Sequence, residues 1–275
     1  MPALALAVFA AVLAAGPARA QTTPPPTGAQ VDFHGIVDRA LFIYVPAMAA
    51  RGVALRFVEL HQHGITGSGN RDDAGHATLT VDDGYYTNAK ITEDGFRFMV
   101  CHELSHIAGS APHMEAPAMY DGILDDKGDL MISAEGQADY AAAAKCMRLV
   151  IEGQDHAAYV RAHGGVPAIA AAKCARAFAD EQQAALCERV MAGGKNFLDS
   201  FARSFPSSFD AQAPAAEHSV LGEHPDAQCR LDTVVAGALC PVSPAAPVDE
   251  FDPAVGFCTS RNFPQGARPP CWFKE

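Results

Sequence analysis

The stretch VCHELSHIAGSAPH, residues 100–113, holds three histidines, one glutamate and one cysteine. His102 and His106 stand four positions apart, and Glu103 directly follows the first of them. Side chains four residues apart lie on one face of an α-helix, so both imidazoles can reach a single metal ion. Glu103 lies about 100° round the helix, where it can act on a water molecule bound to that ion. The stretch therefore predicts a helix that carries two metal ligands and a general base.

The surrounding sequence predicts an α+β fold that is mainly helical. The helix of the motif is expected to begin near Thr92 and to stop at Gly109 and Pro112. Apolar residues at helical spacing also predict a helix that begins with Ser133 as its N-cap and contains four consecutive alanines. The predicted helices outside the motif are 33–50, 134–151, 155–162, 168–179, 181–204 and 227–238.

A small sheet is expected before the motif helix. Residues 53–60 have the composition of a strand, and residues 61–76 form a loop rich in Gly and Asp. The stretch 77–88 begins with alternating apolar residues and contains Asp83-Gly84, a pair typical of hairpin turns. These patterns predict two strands or more, with a hairpin turn after the second.

A catalytic zinc site needs a third protein ligand and one open position, and the sequence offers two candidates. In the pattern His-Glu-x-x-His-x-x-Gly-x-x-His, Gly109 is in place, but the third histidine is late by one residue, at His113. In the other pattern the third ligand is a glutamate on a later helix, and SAEGQADYAA offers Glu135. Asp139 follows one turn later, where it can accept a hydrogen bond from a ligand histidine. Because of its register, His113 is expected in a loop or at the rim of the cleft.

Three short motifs occur along the chain: HELSH at 102–106, EGQAD at 135–139 and HPDAQCR at 224–230. In this order and with these internal spacings they resemble the gluzincin family of CAAX prenyl proteases and its soluble periplasmic relatives. The resemblance covers roughly residues 31–240 and implies a zincin-like metalloprotease fold with a small antiparallel sheet. An edge strand of that sheet, at TLTVDDGYYTN (78–88), would line the active site and receive the substrate as an added strand.

The resemblance implies a role for each motif residue. His102, His106 and Glu135 would bind Zn²⁺. Glu103 would be the general base and proton shuttle, and His224 would stabilise the oxyanion as a peptide carbonyl is attacked. The predicted function is that of an exported zinc-dependent endopeptidase, which hydrolyses peptide bonds with a zinc-activated water.

Two further motif residues would orient the site. Asp139 would hold a ligand histidine, and Arg230 would anchor its own segment by pairing with Asp139. The chain also departs from the family. It lacks the transmembrane helices of the prenyl proteases, which argues against processing of prenylated proteins in a membrane, and the sequence after Cys240 has no counterpart in the family.

Composition limits the partners. Of the 275 residues, 49% are hydrophobic and 19% are charged, which is enough to bury a sizeable core. The formal net charge of -12 argues against nucleic acid and anionic lipid as partners. The expected partner is a peptide or an unfolded protein.

The two ends of the chain differ from its centre. Residues 1–20 are short, apolar and Ala-rich and end in Ala-Arg-Ala, which predicts a cleaved signal peptide rather than a retained membrane anchor. Residues 21–30 are a Pro-rich linker, 31–240 the zinc metallopeptidase domain, and 241–275 a Cys- and Pro-rich extension. This organisation predicts a periplasmic or secreted protein without stable membrane insertion after the signal is removed.

Eight cysteines, none in a Cys-x-x-Cys pair, predict disulfides in an exported chain. Cys101 precedes a ligand histidine among apolar residues, and it is expected to be a buried disulfide partner rather than a nucleophile. Short loops favour three local bridges, which leaves the two remaining cysteines to pair with each other. The expected pairs are Cys174–Cys187, Cys229–Cys240, Cys258–Cys271 and Cys101–Cys146.

A second class of function stays open. The chain could keep zinc for structure and act as a weakly proteolytic or non-proteolytic, chaperone-like binding protein of the cell envelope, holding unfolded proteins on its edge strand. His61 and His63 are expected to be surface loop residues, and the sequence leaves open whether a second metal binds there.

Overall fold

The computed structural model describes residues 31–72, 74–116, 129–201 and 206–275, so the predicted signal peptide and linker lie outside the described residues. The described helices are α1 (Phe33–Ala49), α2 (Glu93–Ala108), α3 (Glu135–Ala141), α4 (Met147–Val150), α5 (His156–His163), α6 (Ala168–Ala177), α7 (Glu181–Phe201) and α8 (Ala227–Leu239). The described strands are β1 (Ala54–Leu60), β2 (Gly67–Arg71), β3 (His76–Asp82), β4 (His113–Glu115) and β5 (Asp129–Ser133). The fold is α+β and mainly helical, as predicted. Among the described helices, none is both long and apolar enough to cross a membrane.

Helix α2 carries the HELSH motif and forms the centre of the molecule. Thr92 caps its N-terminus, because the threonine hydroxyl accepts a hydrogen bond of 3.0 Å from the Gly95 N–H. Gly109 ends the helix, as predicted. From Asp94 to Ile107 every side chain except that of Arg97 is buried. The helix is therefore enclosed on all sides, by β2, α3 and α7 among others.

The larger sheet differs from the predicted one in its strand directions and its edge. Its strand order is β1–β3–β2, with β1 parallel and β2 antiparallel to β3, so the sheet is mixed rather than antiparallel. The predicted edge segment 78–88 supplies the central strand. The edge strand beside α2 is β2, in the stretch predicted as a loop. Its sequence GSGNR has low strand propensity, but a Cβ on Gly69 would come within 1.9 Å of the Glu103 carbonyl oxygen. The glycine is needed for packing on α2.

The predicted hairpin turn at Asp83-Gly84 is also wrong. These residues begin a 3₁₀ helix, Asp83–Thr87, that follows β3. A Cβ on Gly84 would lie 2.0 Å from the Gly64 carbonyl oxygen. Gly84 therefore permits a close approach of two backbone segments, which a sequence pattern cannot distinguish from a turn.

The predicted helix 134–151 consists of three parts. Helix α3 is followed by a π-helical segment, Ala142–Cys146, and then by α4. Ser133 is not the N-cap, because it ends β5 and its hydroxyl donates to the Ser110 carbonyl oxygen at 2.7 Å. Ala134 takes the N-cap position and offers no side-chain hydrogen bond to the helix.

The disulfides confirm two of the four predicted pairs. The bonds in the described residues are Cys101–Cys146, Cys174–Cys187, Cys229–Cys271 and Cys240–Cys258. The predicted pairs Cys229–Cys240 and Cys258–Cys271 are wrong. Cys229 and Cys240 stand at opposite ends of α8, about 16 Å apart at 1.5 Å per residue, whereas disulfides need Cα atoms closer than about 7 Å. Four disulfides indicate an oxidising compartment outside the cytoplasm.

The extension, residues 241–275, is fastened to the helical core at several points. Lys145 and Arg148 donate hydrogen bonds to backbone carbonyls near its start. Glu250 pairs with Arg71 at the end of β2. The buried side chains of the extension pack with residues of α3 and α8 in a second apolar core. This core includes Tyr140, Cys229, Cys240, Phe257, Cys258, Cys271 and Trp272.

Candidate metal centre

The two histidines of HELSH face one space between α2 and α3. His102 is 3% exposed and His106 is 6% exposed. Their Nε2 atoms lie 3.2 Å apart, and the rings meet edge to face. One helical turn separates the two residues, as their spacing predicts. Two imidazole nitrogens therefore converge at a buried point.

Each histidine is oriented through its Nδ1 atom. His106 Nδ1 lies 2.8 Å from the carbonyl oxygen of Ser133, and His102 Nδ1 lies 2.8 Å from Asp139 Oδ1. With the proton on Nδ1 in each ring, both Nε2 atoms are left as ligand atoms. Asp139 in turn accepts two hydrogen bonds from Arg230, 2.7 Å from Nε and 2.9 Å from Nη2. Arg230 thus pairs with Asp139, and the pairing is bidentate.

Glu135, the first residue of α3, brings its carboxylate to the two imidazoles. Its Oε2 atom lies 3.3 Å from His102 Nε2 and 3.6 Å from His106 Nε2. Glu135 is 7% exposed, so its carboxylate lies out of solvent against the two imidazoles. A buried carboxylate is costly unless a cation or a proton compensates its charge.

These three atoms have the spacing of ligands around a tetrahedral metal ion. Ligands at about 2.0–2.1 Å from zinc in a tetrahedron lie about 3.3 Å from one another. The three separations here are 3.2, 3.3 and 3.6 Å. Among the described residues, His102, His106 and Glu135 are the one group of His, Cys, Asp or Glu side chains that is close enough together to hold an ion. This group could bind a metal ion and leave a fourth position open.

The charges around the centre also favour a cation. Burial lowers the pKa of His102, but the carboxylate of Asp139, with help from Glu135 and Glu103, raises it to about 10. Burial raises the pKa of Glu135, but hydrogen bonds and charge from the two histidines hold it well below its usual range. Burial also acts against ionisation of Asp139, and Arg230 is the main group that keeps its pKa low. Both carboxylates are therefore ionised at neutral pH, and they attract positive charge.

Glu103 lies against the edge strand β2. A Cβ added to Gly67 would come within 3.0 Å of Glu103 Cγ and 3.2 Å of Oε1. Only glycine lets the strand approach the helix this closely. β2 ends the strand order of the described sheet, so an extended peptide could pair with its outer side. The edge strand next to the candidate base is therefore β2.

His224 lies at the open side of the centre. Its side chain is 64% exposed, and its Nε2 atom lies 3.1 Å from Glu135 Oε1. Burial lowers the pKa of His224, Glu135 opposes this shift, and Arg230 adds to it. The HPDAQCR motif thus reaches the centre at both ends, through His224 at Glu135 and through Arg230 at Asp139.

Three other histidines lie away from the centre. His113 begins β4 and is buried rather than in a loop or at a rim, and its Nε2 atom lies 3.6 Å from Glu250 Oε2. His61 and His63 are exposed, as predicted, and both contact Asp83. Within the described residues, none of these three belongs to the group that could hold a metal ion.

Several residues that shape the centre escape sequence reasoning. Phe197 on α7 packs against the ring of His102, with ring centroids 5.3 Å apart. Phe197 is one of several apolar residues on α7, and the sequence does not distinguish it from the others. Ser133 acts through its backbone carbonyl, which no side chain in the sequence can indicate. Gly67 and Gly69 could have been identified, because glycines at alternate positions of a strand are typical of a backbone that lies close to another element.

Comparison of the chain with protein-family models, with curated proteins and with solved structures gives no match. The fold and the site define an α+β, mainly helical, disulfide-bonded protein with a buried His-His-Glu group that could bind a metal ion. Any closer assignment depends on the three motifs and on the geometry of this group.

Proposed function

We propose that this protein is an exported zinc-dependent endopeptidase of the gluzincin type. The observation that carries the proposal is the convergence of His102 and His106 from α2 with Glu135 from α3. Two imidazole nitrogens and one carboxylate oxygen are the ligand set of zinc peptidases such as thermolysin. The buried contact of Asp139 with His102, backed by Arg230, is the kind of support that zinc-bound histidines have.

The chemistry follows from the placement of the side chains. Zn²⁺ bound by the three ligands would supply a Lewis acid that polarises a peptide carbonyl and lowers the pKa of water. Glu103 would take the proton of the attacking water and carry it to the leaving amine. Its position supports this role, because it lies beside Gly67 of the edge strand and is near enough to contribute to the raised pKa of His102.

His224 would act on the substrate carbonyl. As negative charge develops on the carbonyl oxygen, Nε2–H of His224 would donate a hydrogen bond to it. The side chain supports this role because it is exposed and already reaches the carboxylate of Glu135. Arg230 would keep Asp139 ionised and in place, so that the orientation of His102 does not change during the reaction.

The substrate would be an extended segment of a peptide or an unfolded protein. β2 supports this assignment because it is an edge strand that lies against Glu103. A segment added to β2 would pair through backbone hydrogen bonds, which select for extended conformation rather than for sequence. The four disulfides and the predicted signal peptide support a periplasmic or secreted location.

The proposal is tested by proteolysis with the mature chain, residues 21–275. Casein and a peptide library are incubated with the protein, with and without a chelator. We expect cleavage that the chelator abolishes and added zinc restores. Glu103→Gln should remove cleavage and keep the metal, because it removes the base and no ligand. Glu93→Gln, an exposed glutamate in the first turn of the same helix, should retain activity and serves as the matched control.

Two results would argue against the proposal. Cleavage that survives Glu103→Gln would remove the assigned base and the mechanism with it. Zinc binding without cleavage of a broad substrate panel, combined with capture of unfolded proteins, would favour the chaperone-like alternative. The same β2 edge would serve that function.

A further inference from the structure

The end of the extension contacts the EGQAD helix, the segment that leads to His224, and helix α8. We call residues 266–274 the C-terminal brace. The proposed chemistry gives these residues no role. Their contacts nevertheless concentrate on the elements that supply Glu135, His224 and Arg230.

The brace packs on helix α3 beside the ligand Glu135. The contacts join Trp272 with Gly136, Arg268 with Gln137 and Gly266 with Tyr140. The indole of Trp272 is fully buried, and a Cβ added to Gly136 would lie 2.3 Å from its ring. The indole therefore rests directly on the backbone that follows Glu135.

The brace also holds the segment that leads to His224. Three backbone N–H groups form the connection: Ala216 to the Pro270 carbonyl at 3.0 Å, Val220 to the Trp272 carbonyl at 2.7 Å, and Lys274 to Ser219 Oγ at 3.0 Å. The Val220 bond lies four residues before His224. The position of the Trp272 main chain is therefore linked to both Glu135 and His224.

A covalent bond completes the connection. Cys271 of the brace is joined to Cys229 on α8. Cys229 directly precedes Arg230, whose guanidinium holds Asp139. The brace thus links three elements: α3, which supplies Glu135; the segment that leads to His224; and α8, which supplies Arg230.

The start of helix α3 needs external support because its own sequence supplies no cap. The helix continues through the π-helical segment into α4, but its N-cap, Ala134, offers no side-chain hydrogen bond to the first turn. Alanine is a poor N-cap, because it leaves the first N–H groups of the helix without a side-chain acceptor. Glu135 is the first residue of α3, where a helix frays most easily. Its position therefore depends on what α3 packs against.

We infer that Trp272 is a positioning residue for the metal ligand Glu135, and that the brace holds α3 in the place that metal binding requires. The inference rests on the proposed function for the identity of the ion as zinc. Trp272 acts through Gly136 and does not touch the ion. Removing the indole would let the start of α3 shift and would weaken the binding of zinc by Glu135.

The test is zinc affinity, measured on the mature chain by competition with a chromogenic chelator. Trp272→Ala should weaken zinc binding by about tenfold or more, the effect of losing a residue that orients a ligand. Trp272→Phe should restore most of the affinity, because a ring still covers Gly136. Phe263→Ala is the matched control, since Phe263 is a partly exposed aromatic of the same extension outside the brace, and it should not change the affinity.

A second variant keeps the test decisive if Trp272→Ala folds poorly. Gly136→Ala substitutes no residue of the brace and raises the helix propensity of α3, but its methyl group would collide with the indole. We expect weaker zinc binding here as well. In the double variant the two losses should not add, because removing the indole makes room for the methyl group. Trp272 is the chain's single tryptophan, so its emission shows directly whether the indole has moved in Gly136→Ala.

The outcomes separate this inference from the proposed function. Zinc binding by the unmodified chain is measured first, and its absence would refute the metal centre itself. If the unmodified chain binds zinc and both Trp272→Ala and Gly136→Ala bind it equally well, the inference is overturned. A lower melting temperature of metal-free Trp272→Ala with unchanged zinc affinity would show a purely structural role, which also contradicts it.

Discussion

Helices α2 and α3 both supply residues of the candidate metal centre, but they are held in different ways. α2 carries its own start and stop signals, since Thr92 caps it and Gly109 ends it. α3 begins without a side-chain cap and is held by distant residues, including Arg268, which lies 131 positions after its partner Gln137. The comparison shows that half of the centre is encoded within one short stretch. The other half depends on tertiary contacts from the end of the chain.

The largest loss of zinc affinity is expected when a proposed ligand is removed from either helix. His102→Ala and Glu135→Ala should each weaken zinc binding by more than about 1,000-fold, because a site worth on the order of 10 kcal/mol loses one of three ligands. His113→Ala is the control and should bind zinc normally, since His113 contacts Glu250 instead. Metal analysis of the three purified variants checks this. Zinc kept by Glu135→Ala and lost by His113→Ala would restore the three-histidine pattern.

Two disulfides allow the support given by the brace to be compared with general stabilisation of the fold. Removing Cys229–Cys271, with a sequence separation of 42, should cost about 4 kcal/mol of unfolding free energy, and removing Cys174–Cys187, with a separation of 13, about 3 kcal/mol. Each pair of cysteines is replaced by alanines, and each double variant is unfolded in denaturant in the absence of metal. Only the first replacement should also weaken zinc binding, because only that bond anchors the brace. Equal zinc affinity in the two double variants would contradict this expectation.

Asp139 joins the two halves, because it lies between His102 on α2 and Arg230 on α8. Asp139→Asn keeps the shape but removes the charge, so zinc affinity should fall by about 10- to 100-fold. The melting temperature should fall too, since Arg230 loses its counter-charge. Asp199→Asn, at an exposed carboxylate paired with Lys195, provides the comparison and should change neither quantity.

The cap of α2 should matter for stability alone. Thr92→Ala removes the hydroxyl that accepts from Gly95 N–H, which should lower the free energy of unfolding by about 1 kcal/mol. Zinc affinity should be unchanged, because Phe197, α3 and β2 still pack around α2. A marked loss of zinc affinity in this variant would show that α2 is not positioned independently of its cap.

The smallest effect on stability is expected from a change at Glu250, where the extension contacts the end of β2. Burial raises the pKa of Glu250, but His113, Arg51 and Arg71 outweigh it and lower the pKa to about 2. A carboxyl whose pKa is lowered by folding stabilises the protein above its ordinary pKa of about 4.3 and loses that contribution as the pH falls. Glu250→Gln should therefore cost about 1 kcal/mol or less at neutral pH. The difference in melting temperature should shrink between about pH 4.3 and pH 2, and a difference that is constant with pH would contradict the assignment.

The local chemistry of the sequence predicts the HELSH helix, its cap, its end and the spacing of its two histidines. It also predicts helix α8 and the bridges Cys101–Cys146 and Cys174–Cys187. The helices and the bridge Cys174–Cys187 depend on residues that are close together in the sequence. Cys101–Cys146 follows because these two cysteines are left over once the local pairs are assigned. Glu135 was placed by the resemblance of the motifs, and the structure brings it to the two histidines.

The features that were predicted wrongly depend on contacts between distant segments. β2 looks like a loop because its glycines, which are needed where the strand meets α2, lower its strand propensity. The alternate glycines indicate a close backbone approach, but they do not identify α2 as the element approached. The pairing of Cys229 with Cys271 depends on the fold of the extension, which has no regular period. Ser133 has the composition of a cap, but its hydroxyl is committed to Ser110. In each case tertiary packing overrides a local preference.

Anomalous diffraction at the zinc absorption edge, from crystals of residues 21–275, tests the central claim most directly. The account predicts one peak in the cleft, about 2.0–2.2 Å from His102 Nε2, His106 Nε2 and the Glu135 carboxylate. A zinc ion bound by His113 in place of Glu135, or a Glu135 side chain turned away from the two imidazoles, would contradict it.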